Sequence, residues 1–260
     1  MSRSTSPPVV LTIAGTDSSG GAGIAADLAT IAALGAHGAC VVTAITAQDT
    51  TAVHRIHRVP LDVVAAQLDA VLGDLRVAAV KTGLLGSVGA VELVARCLAP
   101  LLATGLPLVV DPVLRATTGT AFADDAVIRA YREALLPLAT VATPNADEAT
   151  LLAPFPGPVV RTGSETATDV LDRPGHPVLA VAHTPVATTN DHGTGCTFSA
   201  ALATHLAHGH DLPDAVRRAG DFTADRLRDS ASWCLGRGRG PIAHLHHPHD
   251  PQEETDGGDR

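Results

Sequence analysis

The chain has 260 residues, of which 45% are hydrophobic and only 2% aromatic, and its net charge is −9. That length fits one large α/β domain or two small ones, with a core that has to be built from Ala, Val and Leu. The negative charge argues against a nucleic-acid backbone as partner, and the scarcity of aromatics argues against base stacking. A small anion can still be held by backbone N–H groups.

Residues 9–15 (VVLTIAG) form a short β-branched run ending in glycine, read as a buried strand. The next segment, GIAADLATIAALGAHG, reads as a helix with Ile24, Leu28, Ile31 and Leu34 on one face and Gly35 near its end. ACVVTAIT (39–46) is a second strand, and TAVHRIHRVP (51–60) alternates like a small strand pair or flap. Leu61, Val64, Leu68, Val71 and Leu72 then recur at helical spacing. VAAVKTG (77–83), LPLVVDPV (106–113) and ATVATPN (139–145) read as strands, separated by helices over 87–102 and 124–137. Strands and helices alternate and the strands are almost wholly apolar, which predicts a parallel sheet covered on both faces. Residues 9–244 are expected to form one domain, with tails at 1–8 and 245–260.

The four cysteines, Cys40, Cys97, Cys196 and Cys234, form no CxxC pair. They imply neither a zinc site nor a disulfide framework, and free thiols suit a reducing cytoplasm. No run of 18 apolar residues is present and the N-terminal apolar stretch is too short for a signal peptide, so a soluble cytoplasmic protein is expected. The histidines of HLHHPH (244–249) lie among Pro and acidic residues and read as an incidental tail.

Polar residues recur where apolar strands end: Asp17, Gln48, Lys81, Asp111 and Asn145. In parallel α/β sheets, ligands sit at the carboxyl ends of the strands. GTDSSGGAG (15–23) follows the first strand and can bring backbone close to a ligand, or be no more than a flexible turn. In HGTGCTFSAAL (192–202), Gly193 and Gly195 let amides converge at a helix N-terminus, an anion hole reinforced by the helix dipole. A Cys196 thiol in that first turn is expected to have a lowered pKa; the plainer reading is a small residue packing a tight turn. TPNADE (143–148) is at least a capped helix start. Glu148 and Asp111, at neighbouring strand ends, could instead hold Mg²⁺ beside a nucleotide.

Taken together and in order, IAGTDSSGGAGIAADL (13–28), TAITAQDT (43–50), VKTGLLG (80–86), VVDPV (109–113), TPNADEA (143–149) and HGTGCTFSAALA (192–203) resemble the hydroxymethylpyrimidine and phosphomethylpyrimidine kinases of thiamin biosynthesis, within the ribokinase-like superfamily. The likeness spans nearly the whole chain. It implies an α/β ribokinase-like fold, with a central mainly parallel sheet of about eight or more strands. It also implies ATP-dependent phosphorylation of 4-amino-5-hydroxymethyl-2-methylpyrimidine or its monophosphate, with ATP and Mg²⁺ as cofactors and a homodimer as the usual assembly. By the same resemblance, Gly15, Asp27 and Gln48 hold the aminopyrimidine. Gly193, Thr194, Gly195 and Cys196 cradle the transferring phosphoryl, Asp111 and Glu148 stand near Mg²⁺, and Asn145, Arg161 and Thr194 meet the nucleotide.

Two features depart from the family pattern. Arg161 stands where the family carries a lysine toward the nucleotide phosphates, and only APFPG (153–157) occupies a stretch that normally holds a further helix. Two alternatives follow: a pyridoxal kinase of the same architecture, and a catalytically impaired relative that binds the pyrimidine.

Overall fold

The structure is a computed structural model and describes residues 6–116, 119–162 and 167–244. The tail expected at 245–260 lies outside the described residues, as do residues 1–5. One sheet contains β1 (Val9–Gly15), β2 (His37–Gln48), β3 (Val53–Arg58), β4 (Val77–Thr82), β5 (Leu108–Val110), β6 (Val141–Ala142), β7 (Val159–Arg161), β8 (Thr168–Asp172) and β9 (Leu179–Ala182). Their spatial order is β3-β2-β1-β4-β5-β6-β7-β8-β9. The run from β2 to β7 is parallel, whereas β3, β8 and β9 pair antiparallel at the two ends.

The helices are α1 (Gly23–Ala33), α2 (Leu61–Asp74), α3 (Val88–Leu102), α4 (Asp125–Ala130), α5 (Ala146–Leu152), α6 (Thr194–Ala207) and α7 (Leu212–Ser230). They cover both faces of the sheet because its central strands are apolar on both of their sides. Leu11, Ile13, Val80, Leu108 and Val110 pack with Val64, Leu68, Val91, Val94 and Leu98 of α2 and α3. The intervening Val10, Ala79 and Val109 pack with Ile31 of α1, Phe198 and Leu202 of α6, and Ala215 and Val216 of α7. The strand period of two thus feeds two cores.

The chain runs from β1 outward to β2 and β3, then returns to place β4 on the other side of β1. That reversal opens a crevice at the carboxyl ends of the strands, and every element of the site described below borders it.

Several elements differ from their sequence reading. α1 stops at Ala33, and Gly35, at φ +76°, turns the chain so that β2 begins at His37. The helix expected over 124–137 is three pieces: α4, a π turn at Tyr131–Leu135 and a 3₁₀ turn at Leu136–Leu138, where Pro137 interrupts the ladder. β8, β9 and α7 were not anticipated as individual elements. The crossover between β6 and β7 does hold one short helix, α5. Beside the shortened loop lies a hollow of about 290 Å³ bordered by Ala149, Pro154, Phe155 and Arg161.

Candidate active site

The larger cavity, about 500 Å³, opens along the carboxyl ends of the parallel strands. One end is bordered by Gly15, Thr46, Gln48, Leu84 and His192, and the other by Asn145, Glu148 and Thr162. β2 and β7, which carry the two extremes, are five strand positions apart in the sheet, roughly 24 Å at the usual strand spacing. That span suits two ligands placed end to end. α6 packs against β4, β1 and β5, so its N-terminus meets the cavity between those ends.

The α6 start is built for an anion. Gly193 sits at φ +91°, a conformation that favours glycine, and a Cβ there would come within 1.8 Å of the Gly21 carbonyl oxygen. The first N–H groups of a helix have no carbonyl one turn back to bond. Here Thr194 N–H donates to Asp191 O at 3.3 Å, so the donors left for a ligand are those of Gly195 and Cys196, both of which border the cavity. No atom lies within 4 Å of a Cβ built on Gly195, so a ligand can approach that backbone closely.

The Cys196 thiol does not have the lowered pKa expected of it. Burial pushes it up to about 12; the buried Lys81 ammonium pulls it down, while Asp27 and Asp111 add to the rise. The expectation weighed the helix terminus and omitted the desolvation and the two carboxylates beneath it. At neutral pH this residue is a thiol.

Besides Asp17 at the Gln48 end, two carboxyl groups border the cavity between the α6 start and the Thr162 end. Asp111 follows β5, receives the Ser199 hydroxyl at 3.0 Å, and is raised to about 6 by burial against the opposing pull of Lys81. Glu148 is raised to about 7, by burial first and by Asp111 second. Its two oxygens accept the Leu114 N–H at 3.1 Å and the Asn145 N–H at 3.0 Å, and Asn145 in return accepts the Glu148 N–H, a complete capping box. The helix of TPNADE is therefore capped, and Asn145 and Glu148 also border the cavity. Two buried carboxyls that disfavour each other's charge, with lone pairs left over, fit a divalent cation that also binds phosphate oxygens and water.

Asp27 needs correction. It does not border the cavity. It is fully buried, with Lys81 Nζ 2.8 Å from both of its oxygens and the Thr12 hydroxyl donating to it. Burial alone would lower the Lys81 pKa, but Asp27 first and Asp111 behind it hold it above the ordinary value. Lys81 Nζ also lies 3.9 Å from Asp111. Asp27 is thus the counter-ion of a buried ammonium beneath the site, with no free lone pair facing a substrate.

Arg161 also points elsewhere. It is the last residue of β7 and lies beside Asp172 of β8 at 3.7 Å, bordering the small hollow instead of the cavity. Its neighbour Thr162 borders the cavity, as strand alternation requires. Arg115 stands where a cation is needed. It is the only Lys or Arg among the described residues that border the cavity. The hairpin that carries it is closed by Phe122 N–H to Leu114 O at 2.9 Å and Ala116 N–H to Thr120 O at 2.8 Å. Arg115, His192 and Thr162 were not singled out from the sequence. His192 precedes the glycine turn, and Arg115 is the one basic residue between Asp111 and Asp124.

The sequence profile described as Phosphomethylpyrimidine kinase matches residues 17–159 and 157–243. A hydroxymethylpyrimidine/phosphomethylpyrimidine kinase of Rhizobium meliloti is 41% identical, over 92% of this chain and 97% of its own length. One of Synechococcus elongatus is 38% identical, over 92% of this chain and 98% of its own. Among solved structures, the ADP complex of Bacillus subtilis pyridoxal kinase superposes with a TM-score of 0.81 at 33% identity, covering 92% of this chain and 98% of its own. A phosphomethylpyrimidine kinase of Clostridium difficile gives 0.71 at 30% identity, covering 84% of this chain and 99% of its own. The chain belongs to the phosphomethylpyrimidine kinase family and is a phosphotransferase of ribokinase-like fold.

Proposed function

We propose that the chain transfers the γ-phosphoryl group of ATP to the hydroxymethyl oxygen of 4-amino-5-hydroxymethyl-2-methylpyrimidine, and to the phosphate of the resulting monophosphate. The observation that carries this reading is the order of groups along one cavity. Gln48 stands at one end, the Gly193–Cys196 turn in the middle, and Asn145 and Glu148 toward the other end. A ring held by Gln48 presents its hydroxymethyl arm toward the α6 N-terminus. A nucleotide lying over Asn145 and Thr162 presents its terminal phosphate to the same turn.

Phosphoryl transfer needs mainly alignment and charge stabilisation. The first-turn amides of α6 and the helix dipole stabilise charge on the equatorial oxygens. Leu84, Val113 and Phe122 exclude water along the walls. Arg115 supplies the guanidinium for phosphate oxygens that Arg161 does not, and is suited to bidentate contact. Mg²⁺, held by Asp111 and Glu148 directly or through water, would supply further neutralisation of phosphate charge. The substrate hydroxyl loses its proton late in a loose transition state, so the neutral Cys196 thiol lines the cradle without acting as a strong base.

A second reading, pyridoxal phosphorylation, is favoured by the likeness to the Bacillus subtilis pyridoxal kinase cited above. The relatives of higher identity cited above favour the pyrimidine. A coupled assay of ADP release, run with the aminopyrimidine, its monophosphate and pyridoxal at equal concentrations, decides. A kcat/KM for a pyrimidine well above that for pyridoxal supports the proposal. The reverse order overturns it, and pyrimidine binding without turnover identifies an impaired relative.

A further inference from the structure

His192 and Asp17 form a buried pair on the cavity wall that the phosphoryl-transfer scheme does not use. His192 Nε2 lies 2.7 Å from Asp17 Oδ2, and the two side chains are 7% and 3% exposed. The same Nε2 lies 3.4 Å from the amide nitrogen of Gln48. Asp17 Oδ1 is occupied separately, accepting both the N–H and the hydroxyl of Ser19 at 2.8 Å.

The backbones on either side are clamped. Ser18 accepts the Gln48 N–H at 2.8 Å and donates its hydroxyl to the Gln48 carbonyl at 2.6 Å, so the loop that carries Asp17 also grips Gln48. His192 donates its N–H to Gly240 O and accepts from Ile242 N–H, each at 3.1 Å, which ties it to the segment after α7. Imidazole, carboxylate and amide therefore meet with little freedom to move apart.

We propose that the Asp17–His192 pair is a positioning element that sets which end of the Gln48 amide faces the cavity, and thereby selects a substrate ring that offers a hydrogen-bond acceptor. The chain of reasoning is one of donors and acceptors. Burial raises the Asp17 carboxyl, but His192 and Ser19 outweigh that and hold it below the ordinary value, so it is an acceptor only. His192 Nε2 must then carry a hydrogen. That one hydrogen goes to Asp17, which leaves Nε2 no lone pair for the Gln48 NH₂ standing 3.4 Å away; the positive N–H edge favours the amide oxygen there, so the amide turns its oxygen toward His192 and its NH₂ toward the cavity. An NH₂ there pairs with a ring nitrogen lone pair. This inference rests on the proposed function, in that the ring is the phosphoryl acceptor, and it adds how the ring is chosen.

The test is Asp17→Asn. Ser19 N–H still requires an oxygen at its position, so the new NH₂ faces His192. The imidazole then presents its Nε2 lone pair to that NH₂, the ring edge facing Gln48 becomes negative, and Gln48 turns its own NH₂ toward it and its oxygen to the cavity. We measure calorimetric Kd values for the aminopyrimidine, pyridoxal and an ATP analogue, together with KM and kcat. Asp17→Asn is expected to weaken aminopyrimidine binding by about tenfold or more, with ATP-analogue affinity unchanged. His192→Gln, whose one NH₂ carries two hydrogens that can serve Asp17 and the Gln48 oxygen, is expected to stay within about threefold of the unaltered chain. Added to Gln48→Ala, Asp17→Asn is expected to cost nothing further, because the pair acts through Gln48. Unchanged pyrimidine affinity in Asp17→Asn, or a full additional loss in the double variant, overturns the proposal. If the unaltered chain binds pyridoxal in place of the pyrimidine, the functional reading falls, and weaker pyridoxal binding in Asp17→Asn still supports the positioning role. An unaltered chain that binds neither ring overturns both.

Discussion

Asp27 separates a ligand from a foundation. If it is the counter-ion of Lys81, Asp27→Ala leaves a fully buried ammonium with Asp111 3.9 Å away as its remaining partner. Removing one member of a buried, hydrogen-bonded ion pair costs about 3–5 kcal/mol. For a chain of this size each kcal/mol lowers the melting temperature by roughly 2–4 °C, so a fall of about 6–20 °C is expected. Replacing both members, Asp27→Leu with Lys81→Met, should recover part of that loss, because paired apolar replacements remove the stranded charge. Thermal unfolding followed by circular dichroism gives the stability, and calorimetry of aminopyrimidine binding on the folded variant gives the ligand effect. Asp27→Ala should melt early yet, below its transition, bind the pyrimidine nearly as before. A variant with unchanged melting temperature and abolished pyrimidine binding would refute the reasoning and return Asp27 to the substrate.

Gly195→Val places a side chain in the open space before the α6 amides; kcat should fall by at least ~10²-fold, read by single-turnover phosphorylation, with aminopyrimidine Kd preserved. Cys196→Ala removes a neutral thiol and should cost less than the ~10²–10⁴-fold of a positioned acid–base group; in the unaltered chain iodoacetamide should label the exposed Cys234 well before Cys196. Arg115→Ala should raise the ATP KM or the monophosphate KM by about tenfold or more, since hydrogen bonds to charged groups contribute roughly 1.5–3 kcal/mol. Arg161→Ala, which loses only an exposed pair with Asp172 worth ~0–1 kcal/mol, should match the unaltered chain in both kinetics and stability.

The parallel core strands were legible because β-branched apolar runs alternate with helical spacing, and the turns at Gly15 and Gly193 were legible because glycine clusters close strands and open helices. β8 and β9 were not, since Thr168–Asp172 is a five-residue segment with aspartates at two positions and Leu179–Ala182 is only four residues long at the sheet edge. Strand-end polar residues marked the cavity correctly at Gln48, Asp111 and Asn145. The pattern could not tell that Lys81 and Asp27, 54 residues apart, would neutralise each other below it. Nor could it tell which face of β7 Arg161 would take, because a one-residue change in register exchanges Arg161 with Thr162. The Cys196 pKa depended on that same buried pair and on Asp111, so its direction was hidden as well.

The most direct test of the account is product analysis by ³¹P NMR. The purified chain is incubated with ATP, Mg²⁺ and the aminopyrimidine, with pyridoxal in a parallel tube. The account predicts a pyrimidine monophosphate signal followed by a diphosphate, lost in Gly195→Val, with slower or no phosphorylation of pyridoxal. Rapid formation of pyridoxal phosphate with no phosphorylated pyrimidine, or pyrimidine phosphorylation undiminished in Gly195→Val, would contradict it.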